Sequence, residues 1–279
     1  MNNFFKLNYN NYFIQKFSTN KKLRNFKNNL YWKDFKNFKD PDGKLRNLSI
    51  ERKKKLIDLK NEISFIKNKF KNRKCRIIDL GSGFGFFLSA FGKNWEKHGI
   101  ELSDLASHDS KKWSKIHKID LEKKITISDM KKLGKFDVVF SYHVIEHLKN
   151  PNQFILNARE LLKDNGIFIL GTPNFDSGCA RLFKKKYRFF HDKTHITFFS
   201  ENSLYRLFDD YGFEVFNVDY PYFETYHFNL NNLKKLFNKK QVSPPFYGNI
   251  MTFYTKKRSK KSLKDYLKYK TQRFKKLIK

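Results

Sequence analysis

Three glycines at alternate positions, Gly81, Gly83 and Gly85, follow the apolar run "CRIIDL" at 75–80. A strand that runs into such a turn and then a helix brings backbone close to a ligand at the carboxyl end of a sheet, where open α/β sheets bind. The dinucleotide spacing GxGxxG needs a glycine at 86, where the chain has Phe86. Asp79, at the strand's last turn, puts negative charge where a diphosphate would sit, so the loop favours a cationic or zwitterionic ligand. Glu101 closes the next apolar run, "HGIEL", 16 residues after Gly85. A carboxylate there can accept both hydroxyl protons of a ribose. Adenosine with a positively charged head describes S-adenosylmethionine.

A second reactive group is "SYHVIEH" at 141–147. It contains HxxEH, His143 to His147, the spacing with which zinc peptidases bind metal on one helix beside a catalytic Glu. Here an apolar strand, "FDVVF", runs into the motif and Pro151 starts a new helix four residues later, so no metal is predicted. Methyl transfer is an in-line displacement, and a hydroxyl acceptor also needs a base. A neutral imidazole serves at physiological pH. His143 is the first candidate, with His195 and His191 in "FHDKTHITFFS" next. "SPPF" at 243–246 imitates an amine-holding motif, but it falls between the last two strands rather than after the fourth, so it reads as a rigid turn.

The segments "IIDLGSGFGFF", "GIELS", "FDVVFSYHVIEHLKNP", "LLKDNGIFILGTPN" and "HITFFSENSLYRLFDDYGFEV" together resemble the class I S-adenosylmethionine-dependent methyltransferases, in the broad group that includes the quinone-biosynthesis O-methyltransferases. The resemblance spans about 75–215 and reaches about 255 with the closing strands. It implies that Gly81, Gly83 and Gly85 pass the methionine moiety, that Glu101 holds the ribose, and that Asp120 or Glu122 reaches the adenine amine. Asp79 and Tyr142 complete the expected cofactor lining. The quinone enzymes carry a metal-binding Glu where this chain has His143, so the resemblance does not carry that ion over to this chain.

These residues need a scaffold. Apolar runs "RIIDL", "HGIEL", "KIHKI", "FDVVFSY" and "GIFILG" alternate with helix-compatible segments, the pattern of a buried parallel sheet with crossover helices. A helix is predicted over 151–163, with Pro at its first turn, and another after Ser200, closed by Gly212. "FEVFNVDY" and "GNIMTFYT" are expected to pair antiparallel at the sheet edge. The fold class is α/β, a Rossmann-like doubly wound sheet, mostly parallel with one antiparallel edge strand. An irregular arm is expected over 1–48, the domain over 49–255 with its glycine loop at 79–85 and an inserted segment at 221–248, and a basic tail over 256–279. The domain opens on one helix from Ser49, with Leu56, Leu59, Ile63, Ile66 and Phe70 on one face.

The formal net charge is +32. Residues 1–75 hold 21 basic and 6 acidic side chains and residues 256–279 hold 12 and 1, whereas the 180 residues between hold 26 and 20. The charge is therefore on the flanks. Lys outnumbers Arg 48 to 11, as the codons of an AT-rich genome would produce without selection for a polyanion. Two cysteines far apart make neither a disulfide framework nor a thiolate zinc site, and no run reaches the ~20 apolar residues that span a bilayer. A soluble, cytoplasmic enzyme is expected, with weak peripheral association with anionic surfaces. Its acceptor is expected to be a hydroxyl of a small molecule or glycan, anionic or ring-containing, because the segments around it are aromatic and basic. An RNA methyltransferase using the basic flanks is the alternative, and a cofactor-binding but inactive partner subunit is the second.

Overall fold

The computed structural model describes residues 5–9, 12–18, 47–192 and 194–258. Its centre is a seven-stranded sheet in the order β5-β4-β3-β6-β7-β10-β9, where β3 is Cys75–Leu80, β4 Trp95–Ile100, β5 Lys115–His117, β6 Phe136–Tyr142, β7 Leu162–Pro173, β9 Phe213–Asp219 and β10 Ile250–Lys257. The first five run parallel. β10 is antiparallel to both β7 and β9, so the two closing strands form the expected antiparallel edge.

Successive residues of a strand point to opposite faces, and both faces of this sheet are apolar. Ile77, Val138, Ile167 and Ile169 pack on one side with Ile63, Ile66 and Phe70. Their neighbours Ile78, Val139, Phe168 and Leu170 pack on the other with Phe154, Ala158, Leu204 and Phe208. Helices on both faces give three layers, the arrangement a buried parallel sheet requires. On the second face, α5 (Pro151–Leu161) carries Pro at its start and α8 (Glu201–Asp210) is closed at its start by a Ser200 capping box, as the sequence indicates.

Three expectations need correction. The helix from Ser49 is two helices, α1 (Leu48–Asp58) and α2 (Lys60–Lys69), separated by Leu59 at φ −101° and ψ 17°. The apolar spacing continues through the break because Leu59 stays fully buried, so periodicity could not reveal it. The glycine loop leads into a single 3-10 turn, Leu88–Ala90, rather than a helix. The arm at 1–48 is not wholly irregular: β1 (Phe5–Tyr9) and β2 (Ile14–Ser18) form an antiparallel hairpin, and β2 pairs with β8 (Thr197–Phe198). Phe13 is buried against Phe199 at 5.6 Å between ring centroids, and Gln15 Nε2 donates to Lys149 O at 2.8 Å. The rest of the arm, and the tail beyond Arg258, lie outside the described residues.

The remaining helices are α3 (Asp104–Ser110), α4 (Ile127–Leu133), α6 (Gly178–Phe183), α7 (Arg188–His191) and α9 (Leu230–Lys235). α9 belongs to the segment between β9 and β10.

Candidate functional site

The carboxyl ends of the central parallel strands open into a cavity of about 450 Å³, inside the range of about 300–1,000 Å³ for ligand sites. β3 delivers the chain to Gly81, Gly83 and Gly85, at φ 79°, 51° and 72°. L-residues with side chains rarely adopt this region. A Cβ at Gly81 would stand 2.5 Å from Val144 Cγ2, so the loop lies directly against the segment that follows β6.

Asp79, Gly81, Gly83, Glu101, Asp120 and Tyr142 all line this cavity. Burial pushes the Asp79 carboxyl up to about 8, against the pull of Lys55 and with a push from Glu101. Glu101 accepts from Gly83 N at 3.0 Å and Ser103 N at 2.8 Å, and burial raises it too. Each carboxylate oxygen has a second lone pair, so Glu101 can still accept hydroxyl protons. Ser82 Oγ is buried without a hydrogen-bond partner, turned toward Gly99, whose added Cβ would stand 2.5 Å from it. Together these groups fit adenosine with a cationic head. They offer acceptors for hydroxyls and an amine, and a buried carboxyl whose charge needs a cation. Gly85 lies behind the wall, where its added Cβ would meet Ser110 Oγ at 2.6 Å.

The structure separates the two acids that the sequence left open. Asp120 lines the cavity. Glu122 turns away and accepts from the backbone N–H groups of Lys149 and Asn150, the latter at 3.4 Å, which makes it a brace for the start of α5.

His143, His147 and His195 border the same cavity. His143 has φ 59°, an uncommon conformation for a non-glycine residue, and its N–H donates to Gly171 O at 2.9 Å. Its Nδ1 lies 2.9 Å from Oε1 of Glu146, a carboxylate 2% exposed that also accepts from Thr172 Oγ1 at 3.0 Å. Burial pulls the His143 imidazole below its usual value, although Glu146 pulls it back. The neutral ring therefore donates from Nδ1 and leaves Nε2 as an acceptor. His195 is buried, with Nδ1 on Phe189 O at 3.2 Å and Nε2 3.5 Å from Asp192 Oδ2. His191 is placed elsewhere, on the surface with Nε2 on Lys185 O at 3.1 Å, because α7 turns it away from the cavity; it does not join the site.

Glu146, His147 and His195 bring candidate ligand atoms within 4.8 Å of one another. Their atoms already have protein partners: Glu146 those above, and His147 Nδ1 the Thr194 carbonyl at 3.0 Å. The HxxEH stretch runs from β6 through a 3-10 turn at Ile145–His147, so its histidines do not sit one helical turn apart as a zinc peptidase needs. Ser243 of "SPPF" is buried and ties the turn to the start of α7, accepting from Arg188 N at 3.0 Å.

Sequence reasoning missed the contribution of α1. Lys55 and Asp58 line the cavity, and Lys55 Nζ lies 4.2 Å from the Tyr142 ring centroid. Glu51, Lys55 and Asp58, four and three residues apart, make a polar stripe beside the apolar one, and that stripe was the available signal. Phe84 and Phe86, stacked at 5.6 Å, and Phe189 add aromatic walls.

The sequence profile of a methyltransferase-domain family matches residues 48–218. The ubiquinone biosynthesis O-methyltransferase of Rickettsia canadensis (strain McKiel) is 35% identical over 104 residues, 36% of this chain and 44% of that protein. Its counterpart in Pelagibacter ubique (strain HTCC1062) is 28% identical over 111 residues, 37% and 43% of the two chains. The match thus spans less than half the length of these relatives. Among solved structures, magnesium protoporphyrin IX methyltransferase from Synechocystis PCC 6803 with bound SAH superposes with a TM-score of 0.58 at 13% identity, covering 85% of this chain and 99% of that one. At that identity the likeness is one of fold.

Proposed function

The chain belongs to the methyltransferase-domain family, with the class I S-adenosylmethionine-dependent fold, and from that premise we propose that it methylates a hydroxyl oxygen of a small ring-containing acceptor, a quinone-type phenol being the first class to test. When bound, S-adenosylmethionine supplies a methyl carbon made electrophilic by its sulfonium. Glu101 would accept from the ribose hydroxyls, Asp120 from the adenine amine, and Asp79 would face the cationic head. The left-handed glycines let the backbone pass close to the ligand. His143 is placed to take the acceptor hydroxyl's proton at Nε2, and Glu146 would hold Nδ1–H and stabilise the imidazolium.

The observation that carries the hydroxyl reading is the His143–Glu146 pair at 2.9 Å on the wall of the cofactor cavity, a base already oriented and kept neutral by burial. With a catechol or hydroquinone acceptor, His143→Ala should lower turnover roughly 100-fold while cofactor affinity barely changes. Wild-type turnover should rise with pH to a midpoint below 6.5, the ordinary imidazole value, because the protonated ring cannot accept. A fully active His143→Ala enzyme with an unchanged pH profile would move the base to His195.

A further inference from the structure

We propose that a second cavity, beside the break between α1 and α2, binds a small organic ammonium ion. This goes beyond the catalytic reading and does not rest on it. The cavity measures about 170 Å³, below the range of about 300–1,000 Å³ for sites that enclose a whole ligand, so it suits a small amine or an ammonium head group. Ile57, Asp58 and Asn61 bound it on one side, and residues 219–225 with Tyr247 on the other.

Its charge runs against that of the chain. Asp58, Asp219 and Glu224 line it, and among the described residues no Lys, Arg or His does, although the chain has 59 basic side chains to 27 acidic. Asp58 Oδ1 is buried with no hydrogen-bond partner, and burial pushes this carboxyl up to about 6 although Lys55 pulls it down. A buried carboxylate without a partner is costly, and a cation beside it offsets that cost. Asp58 also ends α1, where the helix dipole adds negative potential. Asp219 is fixed in place, with Oδ2 accepting from Asn61 Nδ2 at 3.2 Å and Oδ1 from Tyr220 N at 2.8 Å. Each of its oxygens keeps a further lone pair for a donor.

The aromatic walls select the kind of cation. Tyr220, Tyr222, Phe223 and Tyr247 line the cavity as a connected set, with ring centroids 5.6 Å apart for Tyr220 and Tyr247, 5.4 Å for Phe223 and Tyr247, and 5.3 Å for Tyr222 and Phe223. Ring faces attract a diffuse organic cation. A metal ion instead needs ligand atoms that converge, and the group of three that does so among the described residues is Glu146, His147 and His195 rather than these acids. Because Asp58 lines the cofactor cavity as well, the test must tell the two cavities apart.

The full chain is examined by ligand-observed saturation-transfer NMR at about pH 7.5, where the Asp58 carboxyl is ionised, with tetramethylammonium or 1,4-diaminobutane as probe and sodium chloride at equal ionic strength as reference. At least one probe should bind saturably, and excess S-adenosylhomocysteine should not displace it. Tyr247→Leu, which alters the second cavity and not the first, should weaken binding about fivefold or more, and Asp58→Asn should weaken it further. Unchanged melting would show that the variants fold. Stronger binding of tetramethylammonium would assign a quaternary ligand held by the rings, and stronger binding of diaminobutane a primary amine held by the carboxylates. The proposal is overturned if neither probe binds, if both variants bind as the wild type does, or if S-adenosylhomocysteine displaces the probe, which would put it in the cofactor cavity. Displacement by micromolar calcium would also overturn it, as the mark of a metal site.

Discussion

At the scale of single residues, Asp79 couples proton and ligand. Burial disfavours its charge and pushes the carboxyl up to about 8, so at pH 7 the protonated form is favoured, and a cationic head must displace that proton. Affinity for S-adenosylmethionine should therefore weaken as pH falls below about 8, by up to tenfold per unit, with calorimetric heats that depend on the buffer's ionisation enthalpy. Asp79→Asn should bind more weakly and lose the pH dependence. Retention of that dependence in the variant would assign the proton elsewhere. Glu101→Ala, which removes the acceptor that bridges Gly83 and Ser103, should abolish micromolar binding in the same experiment.

At the scale of elements, the best-read helix is α8. Ser200 accepts from Ser203 N at 3.2 Å, and Ser203 Oγ in turn accepts from Ser200 N at 3.0 Å. Loss of that cap in Ser200→Ala should cost about 1 kcal/mol in urea unfolding; an unchanged midpoint would mean that packing of Leu204, Leu207 and Phe208 alone fixes the helix start. The poorly read elements share a cause. The break at Leu59 leaves the apolar stripe uninterrupted, and the 3-10 turn at Leu88–Ala90 carries apolar residues that suit a helix equally well. The hairpin of β1 and β2 is stabilised from far away in sequence, through Phe13 on Phe199 and through pairing with β8, and local propensity carries no record of such partners.

At the scale of the molecule, most of the charge lies on the flanks, and the candidate site draws Lys55 and Asp58 from the first of them. Deleting 259–279 should leave affinity for S-adenosylmethionine within about twofold, since the cavity is lined by residues between Glu51 and Tyr226. If the tail binds RNA, affinity must fall steeply with salt, and the deletion should flatten that slope. A nanomolar, sequence-selective complex at physiological salt would favour the RNA alternative. The alternation of apolar runs with helical segments is enough to read the sheet, and Asp79, the three glycines and Glu101 are enough to read the candidate ligand loop. These signals are local, because burial on both strand faces and left-handed turns each demand particular residue types at fixed spacing. Tertiary packing puts Asp120 rather than Glu122 on the cavity, leaves His191 outside it, and sets Glu146 against His143. It also brought Lys55 and Asp58 into the site from α1. Those outcomes depend on which side chains converge from separate elements, and the direction of a loop residue is set by packing rather than by its neighbours in the chain.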